Sequence, residues 1–359
     1  MNIKVNKSDL LQVLTTAIKA VPTKTATPIL ENFLLNVENG SLSVTASDAN
    51  ITVIAKCEAE GEGKACIPAK TLRELVGTLP DGEVTVETDD TTATISWGKG
   101  HSTIPVFKIE DYPEIKAPEG EGFCIGSEAL KSALKHTLPH TATDELRPQL
   151  CGVYFNPTDT GLDLVASDSH TMSVYPIEGE GKPNAPFVLP TNAATLVRDL
   201  GCDVTVTSDG SMLRFDAENL SIQTKQIIGK FPNYKGVIPE ANPNAFTFPV
   251  AMLMDSIRRV SICANKASNY IKFTLDTLAG VIIEAQDLGF GCAAKEELDY
   301  GSYQGEKLEI GLRADLILKT LNGLDAEKAM MRFADARRAV LVEGEGDPSK
   351  AIVMPISVK

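Results

Sequence analysis

Few side chains in this sequence have both the type and the spacing to do chemistry. His136 and His140 stand four residues apart near a helix end, a spacing that could offer two imidazoles to a metal ion. No glutamate follows His136, Pro139 interrupts the turn, and no third ligand is apparent, so no metal is expected. Ser167, Asp168 and His170 hold the letters of a hydrolase triad, but near-adjacent residues cannot form a relay that joins separate segments in space. An Asx turn between strands is expected there, and also at Asp48 and Asp287. Glu60-Gly61-Glu62-Gly63-Lys64 and Glu178-Gly179-Glu180-Gly181-Lys182 lack the spacing of a phosphate loop, and their glutamates would repel phosphate. Seven cysteines (57, 66, 124, 151, 202, 263, 292) are scattered, never in a Cys-x-x-Cys pair. They read as buried free thiols in a reducing cytoplasm, not as a disulfide framework or zinc site. No catalytic residue and no cofactor is expected, which favours a non-enzyme. A hydrolase using Ser167 and His170 is the enzymatic rival, and either mutation should then abolish ester turnover.

The elements that would hold these residues occur three times. Ala46-Ser47-Asp48, Ala166-Ser167-Asp168 and Ala285-Gln286-Asp287 each close an apolar strand-like run, at spacings of 120 and 119 residues. The Glu-Gly-Glu-Gly-Lys stretch follows the first two, and Pro68, Pro190 and Gly311 each precede an amphipathic helix. The period is that of a whole domain. The fold class expected is α+β, three copies of two helices packed on antiparallel strands, spanning 1–121, 122–244 and 245–359. Linkers rich in proline, glycine and polar residues at 117–122 and 239–244 mark the joins. Helices are read near 7–20, 69–79, 126–138, 191–200, 250–266 and 312–324; Leu72, Leu75, Val76 and Leu79 show the core-facing spacing in the second. Strands in the first copy are read at 29–37, 41–46, 51–58, 83–88, 92–97 and 101–105, with a further piece before Tyr112. The last is read at 351–356.

Charge separates by element. The net charge is −14, yet the six helical stretches hold twelve basic and six acidic residues, leaving −20 for everything else. Overall acidity speaks against nucleic acid, but a basic set of helices can still face phosphates. An acidic repeat scaffold that binds only proteins is the alternative reading. No apolar run is long enough to span a membrane, and the first residues do not form a signal peptide.

Four motifs carry a resemblance: Thr27-Pro28-Ile29-Leu30-Glu31-Asn32, Ala166-Ser167-Asp168-Ser169-His170, Gly229-Lys230-Phe231-Pro232-Asn233-Tyr234 and Val353-Met354-Pro355-Ile356. Over essentially its whole length the chain resembles the bacterial DNA sliding clamps, the beta subunits of DNA polymerase III. The resemblance implies a head-to-tail homodimer, a ring of six domains whose helices line a hole for duplex DNA. It implies contacts to phosphate without sequence preference, so that the ring slides. Implied partners are the polymerase III catalytic subunit, an ATP-driven clamp loader, and other polymerases and repair proteins with clamp-binding peptides. Lys24, Lys70, Arg73, Gln149 and Arg198 are implied to lie near DNA. A hydrophobic peptide pocket is implied to use Leu150, Ser167, His170, Thr171, Met172, Pro232, Val237, Ile352, Met354, Pro355 and Ile356, with Arg147 at its edge. The dimer seam is implied at Ser102, Ile104, Ile262 and Cys263. Thr171 and Gly236 stand where some relatives have arginine, which would alter the polar rim; Cys263 replaces a larger apolar residue.

Overall fold

The computed structural model describes residues 1–113, 116–144, 146–179 and 181–356. Glu180 of the second glycine-rich stretch and Ser357, Val358 and Lys359 at the chain end lie outside them. Among the described residues, six α-helices form where amphipathic spacing places them: α1 (Lys7–Ala17), α2 (Ala69–Thr78), α3 (Ser127–Thr137), α4 (Thr191–Arg198), α5 (Val250–Ser261) and α6 (Ala314–Gly323). Helix α1 buries Leu10, Val13, Leu14 and Ala17, and starts on Asn6, whose side chain accepts the Ser8 amide. Helix α3 runs into a 3₁₀ turn, Leu138–His140, where Pro139 cannot continue an α-helix. Helix α5 stops at Ser261, short of the expected 266: the Ile262, Cys263 and Ala264 amides donate to carbonyls three residues back, and the Asn265 side chain then accepts the Ala267 and Ser268 amides.

Several expected strands need correction. Residues Pro28–Glu31 form a 3₁₀ turn, held by Asn32 donating to the Ile29 carbonyl at 2.9 Å, and the strand is Asn32–Glu38. The piece before Tyr112 is also 3₁₀, Ile109–Asp111. Asn2–Asn6 and Glu60–Pro68 are strands that polar composition concealed. Gly311, expected to open a helix, lies within the strand Leu308–Arg313, and α6 begins after Arg313. The last strand is Lys350–Val353, shorter than 351–356 at its far end.

The chain packs as two compact units that divide the middle repeat. Residues 1–128 and 195–226 form the first, around a twelve-stranded sheet. Strand Ile51–Glu58 pairs antiparallel with Leu220–Lys225, so the last strands of the middle repeat extend the sheet of the first. One end of that sheet is Gly100–Pro105, which among the described residues pairs as a ladder with Thr92–Trp97 alone. Residues 129–194 and 227–359 form the second unit, in which Thr171–Glu178 pairs with Lys350–Val353 to join the middle repeat to the third. This unit also holds a four-stranded sheet ordered Cys292–Leu298, Gly280–Asp287, Tyr270–Asp276, Leu308–Arg313. Helix α5 packs on the first two of these strands, and Phe246, Phe248, Phe273, Ile283 and Phe333 fill the core beside it.

Candidate peptide pocket and basic helices

The Ser-Asp turns are built alike, bond for bond. In the first repeat the Asp48 carboxylate accepts the Asn50 and Ile51 amides at 2.8 and 2.7 Å, and Ser47 Oγ donates to the Ile51 carbonyl at 3.0 Å. In the second, Asp168 accepts the His170 and Thr171 amides at 2.9 and 2.6 Å, and Ser167 Oγ donates to the Thr171 carbonyl at 2.9 Å. Ala49 and Ser169 occupy the same left-handed conformation, at φ 75° and 74°. Asp287 likewise accepts the Gly289 and Phe290 amides. These are the Asx turns that the residue types suggest. Ser167 therefore spends its hydroxyl on turn closure. No Ser167–His170 side-chain bond occurs among the described residues, and the hydrolase geometry is absent.

Both histidines of this pair make hydrogen bonds within the fold. His136 has its two ring nitrogens against the Ser132 carbonyl at 2.7 Å and the Asp347 carboxylate at 2.9 Å. His140 Nδ1 faces Thr171 Oγ1 at 2.9 Å. Burial, and then the Lys319 charge, push the His140 pKa down to about 3, so the ring is neutral; with the Thr171 hydroxyl donating to Asp168, it is His140 Nδ1–H that donates to Thr171. The described residues hold no cluster of three metal-ligating side chains.

Beside the second turn lies a cavity of about 190 Å³, lined by Leu150, Ser167, Ser169, His170, Thr171, Met172, Phe231, Pro232, Tyr234, Val237, Ile352 and Met354. Nine of the residues named above for a peptide pocket meet here. Each comes from a defined element: Leu150 from the 3₁₀ turn Pro148–Leu150, Met172 and Ile352 from paired strands, and Val237 from the turn Lys235–Val237. Met354 is held by its amide donating to the His170 carbonyl at 2.8 Å. Three lining residues were not anticipated: Ser169, Phe231 and Tyr234. Phe231 is aimed by stacking on Tyr154 at 4.5 Å between ring centroids. Tyr234 is fixed by donating to Asp163 at 2.6 Å and accepting from Asn156 at 2.9 Å. The motif Phe231-Pro232-Asn233-Tyr234 was the available signal for both.

Arg147 stands next to the lining, bonded to Ser169 Oγ and 3.6 Å from Asp144. Pro355 is not among the lining residues, and Ile356 faces another hollow with Tyr270 and Lys272, its amide donating to the Gly311 carbonyl. The cause is the chain's departure from the strand after Val353, which carries Ile356 to the four-stranded sheet. Thr171 is not a polar rim: it is buried, with Oγ1 shared between Asp168 and His140. Gly236 lies in the exposed turn beside Val237.

The basic helix residues divide into two groups. Lys7, Lys135, Arg198, Arg258, Arg259, Arg313 and Lys319 are each paired with an acid, Arg198 with its neighbour Asp199 at 3.0 Å. Lys19, Lys70, Arg73, Lys131 and Lys266 have no ion-pair partner among the described residues, nor has Lys24 in its exposed bend. Lys70 and Arg73 share α2, and Arg73 Nε is enclosed without a hydrogen-bond partner there. Gln149 is half-buried in the turn before Leu150.

The expected seam residues differ in accessibility. Ile262 is 71% exposed, following α5. Ile104 is buried, because alternation along Gly100–Pro105 turns Ser102 and Ile104 to the covered face and His101 and Thr103 outward. Cys263 is not a free thiol: it is disulfide-bonded to Cys292, with Cα atoms 5.3 Å apart. Packing of α5 on the strand that Cys292 opens creates this pair across 29 residues of sequence. Cys57, Cys66, Cys124 and Cys202 carry free thiols.

Profiles of the DNA polymerase III beta subunit match the chain in succession: the N-terminal domain over residues 1–116, the central domain over 124–233 and the C-terminal domain over 235–357. The beta sliding clamp of Synechococcus elongatus is 27% identical over 379 residues, with both chains fully covered. That of Vibrio cholerae is 28% identical, covering 99% of this chain and all of its own. A crystal structure of the DnaN sliding clamp from Bartonella birtlesii bound to griselimycin superposes with a TM-score of 0.94 at 25% identity, covering all of both chains. Three clamp domains of mixed helix and antiparallel sheet define the class of protein. The chain belongs to the family of bacterial DNA polymerase III beta subunits, the beta sliding clamps. It is a DNA polymerase processivity factor, not an enzyme.

Proposed function

We propose that two copies of this chain close head to tail into a ring around duplex DNA and tether the polymerase III catalytic subunit through the pocket at Met172. The domains are taken as 1–121, 122–244 and 245–359. The observation that carries the reading is the apolar pocket of Leu150, Met172, Phe231, Tyr234, Ile352 and Met354, built within a chain matched along its length by beta subunits. An apolar peptide anchor suits such a concavity. Two open strand edges, Gly100–Pro105 and Cys292–Leu298, support a pairing between copies, since unprotected edges invite added strands. Cations without acidic partners among the described residues at Lys24, Lys70 and Arg73, with Gln149 and Arg198, would meet phosphates; the paired Arg198 contributes less. A clamp loader opens the ring, and other polymerases and repair proteins compete for the same pocket. The work is done in the cytoplasm; no described helix is long and apolar enough to cross a membrane.

Primer extension by the cognate polymerase and loader on a long single-stranded circle tests the tether. Val237 lines the pocket and is 48% exposed, so Val237→Asp should leave the fold intact. Product length should fall to the value seen without clamp. Full-length products with the variant would refute the pocket as the tether.

A further inference from the structure

Lys319 belongs by sequence to the basic residues of α6, yet its ammonium is turned inward, 2.7 Å from Asp168 Oδ2, with the two side chains 24% and 18% exposed. Asp168 sits in the turn that supplies Ser167, Ser169, His170, Thr171 and Met172 to one wall of the pocket. The other wall includes Ile352 and Met354, and α6 packs beside the strand that carries Ile352. Ile317 and Leu321 bury α6 in the core of the third repeat, so Lys319 projects from a fixed base.

The first repeat provides an internal comparison. Its turn at Asp48 closes through the same amide and hydroxyl bonds, with no cation on the carboxylate among the described residues. The turn is therefore self-sufficient, and the Lys319 bridge is not needed to fold it. What the bridge adds is location. It ties a second-repeat turn to a third-repeat helix, and neutral His140 adds a bond to Thr171 from the 3₁₀ turn that also packs on α6. Burial opposes ionisation of Asp168, but the Lys319 bond with the Thr171 and His170 amides outweighs it, and the carboxyl is held below its ordinary range.

We propose that Lys319 is a positioning residue for peptide capture, setting the distance between the turn 167–171 and the wall at Ile352 and Met354. A charge-assisted bond of this kind fixes geometry as well as adding energy, and a pocket already set to width binds without ordering cost. The inference rests on the pocket reading above. It differs from a DNA-facing role for Lys319, because the ammonium is committed to Asp168.

The test is binding of a fluorescein-labelled pentapeptide carrying leucine and phenylalanine as apolar anchors for this apolar lining, by anisotropy, with Val237→Asp as the empty-pocket control. Lys319→Met should weaken binding about tenfold, the order expected for loss of one charge-assisted bond. Lys319→Arg should restore most of it. Asp168→Asn keeps an oxygen for the turn amides and loses the charge. Combined with Lys319→Met, it should cost no more than the worse single change, as partners in one bridge require. Asp48→Asn, in the turn without a bridge, should bind as the parent does. Parent-like binding by Lys319→Met overturns the inference while leaving the pocket reading intact. Equal binding by the parent and Val237→Asp overturns the pocket reading itself, and the inference with it. If Lys319→Met lowers the melting temperature substantially, Lys319→Arg and the cycle with Asp168→Asn decide: additive losses would contradict the bridge.

Discussion

Replacing Asp347 with Asn should destabilise the second compact unit, and the penalty should shrink as pH rises. The Asp347 side chain is fully buried and that of His136 is 2% exposed, with Oδ2 and Nε2 2.9 Å apart. The other histidine nitrogen faces the Ser132 carbonyl at 2.7 Å. Two acceptors on two nitrogens require a proton on each, so the ring is an imidazolium. Burial pulls its pKa down, but the Asp347 bond and the Ser132 carbonyl outweigh burial and raise it. Asp347 lies well below the usual carboxylate range, because His136, the Asp325 amide and Ser349 overcome its burial. Removing one member of a buried pair costs about 3–5 kcal/mol. Asp325, half-exposed and 3.9 Å from His136, retains part of the attraction and favours the lower end of that range, about 3 kcal/mol. In a unit of roughly 150–250 residues, each kcal/mol shifts melting by about 2–4 °C, so the expected loss is about 6–12 °C. The signs are opposite for the two groups. The raised histidine contributes fully below its unfolded value near ~6.5, and its contribution is lost as pH rises through the folded value. The depressed carboxylate contributes above its unfolded value near ~4, and its contribution is lost as pH falls through the folded one. The difference between parent and Asp347→Asn should thus be widest between about pH 4 and 6.5 and narrow in alkali. Calorimetric melts of both proteins from acid to alkaline pH read it. A gap below about 2 °C at pH 6, or one independent of pH, would refute the charged pair.

Charge reversal at both Lys70 and Arg73 should weaken binding to duplex DNA and lower the slope of log affinity against log salt by about 2, near 0.9 per lost phosphate contact; an unchanged slope would place both residues away from DNA. Cys292→Ser should destabilise the oxidised protein by about 2–4 kcal/mol, as expected when a closed loop is released. Reductant should bring the parent to the variant's melting temperature, and equal melts without reductant would contradict the bond.

The helices and many strands are legible because each carries its own periodicity: Leu10 and Leu14 in α1, or the strand Ile51–Glu58, found at the expected bounds. What depends on distant partners is not. Glu60–Pro68 looks like a polar glycine turn, yet Gly61 (φ 111°) lies so close to Asn2–Asn6 that a Cβ would meet the Asn2 carbonyl oxygen at 2.1 Å. The glycine is there for strand approach, which no local pattern reveals. Cavity-lining residues such as His170 and Pro232 lie within motifs visible in the sequence, but the aiming of Phe231 by Tyr154 and of Tyr234 by Asp163 arises only after folding. The same holds for Lys319, whose partner lies 151 residues away, and for Cys263 with Cys292. At Ile104 edge position and side-chain direction are separate properties of a strand: Gly100–Pro105 ends its sheet, while alternation turns Ile104 to the covered face.

Encirclement is tested most directly by loading the protein on nicked circular duplex DNA with its cognate loader, isolating the complex in moderate salt, and cutting the circle. The ring account predicts retention on the circle and release on linearisation, because threading alone holds the protein. Retention on the cut DNA would mean ordinary affinity, and failure to be retained on the circle beside an active loader would favour an acidic protein scaffold; either result would contradict the account.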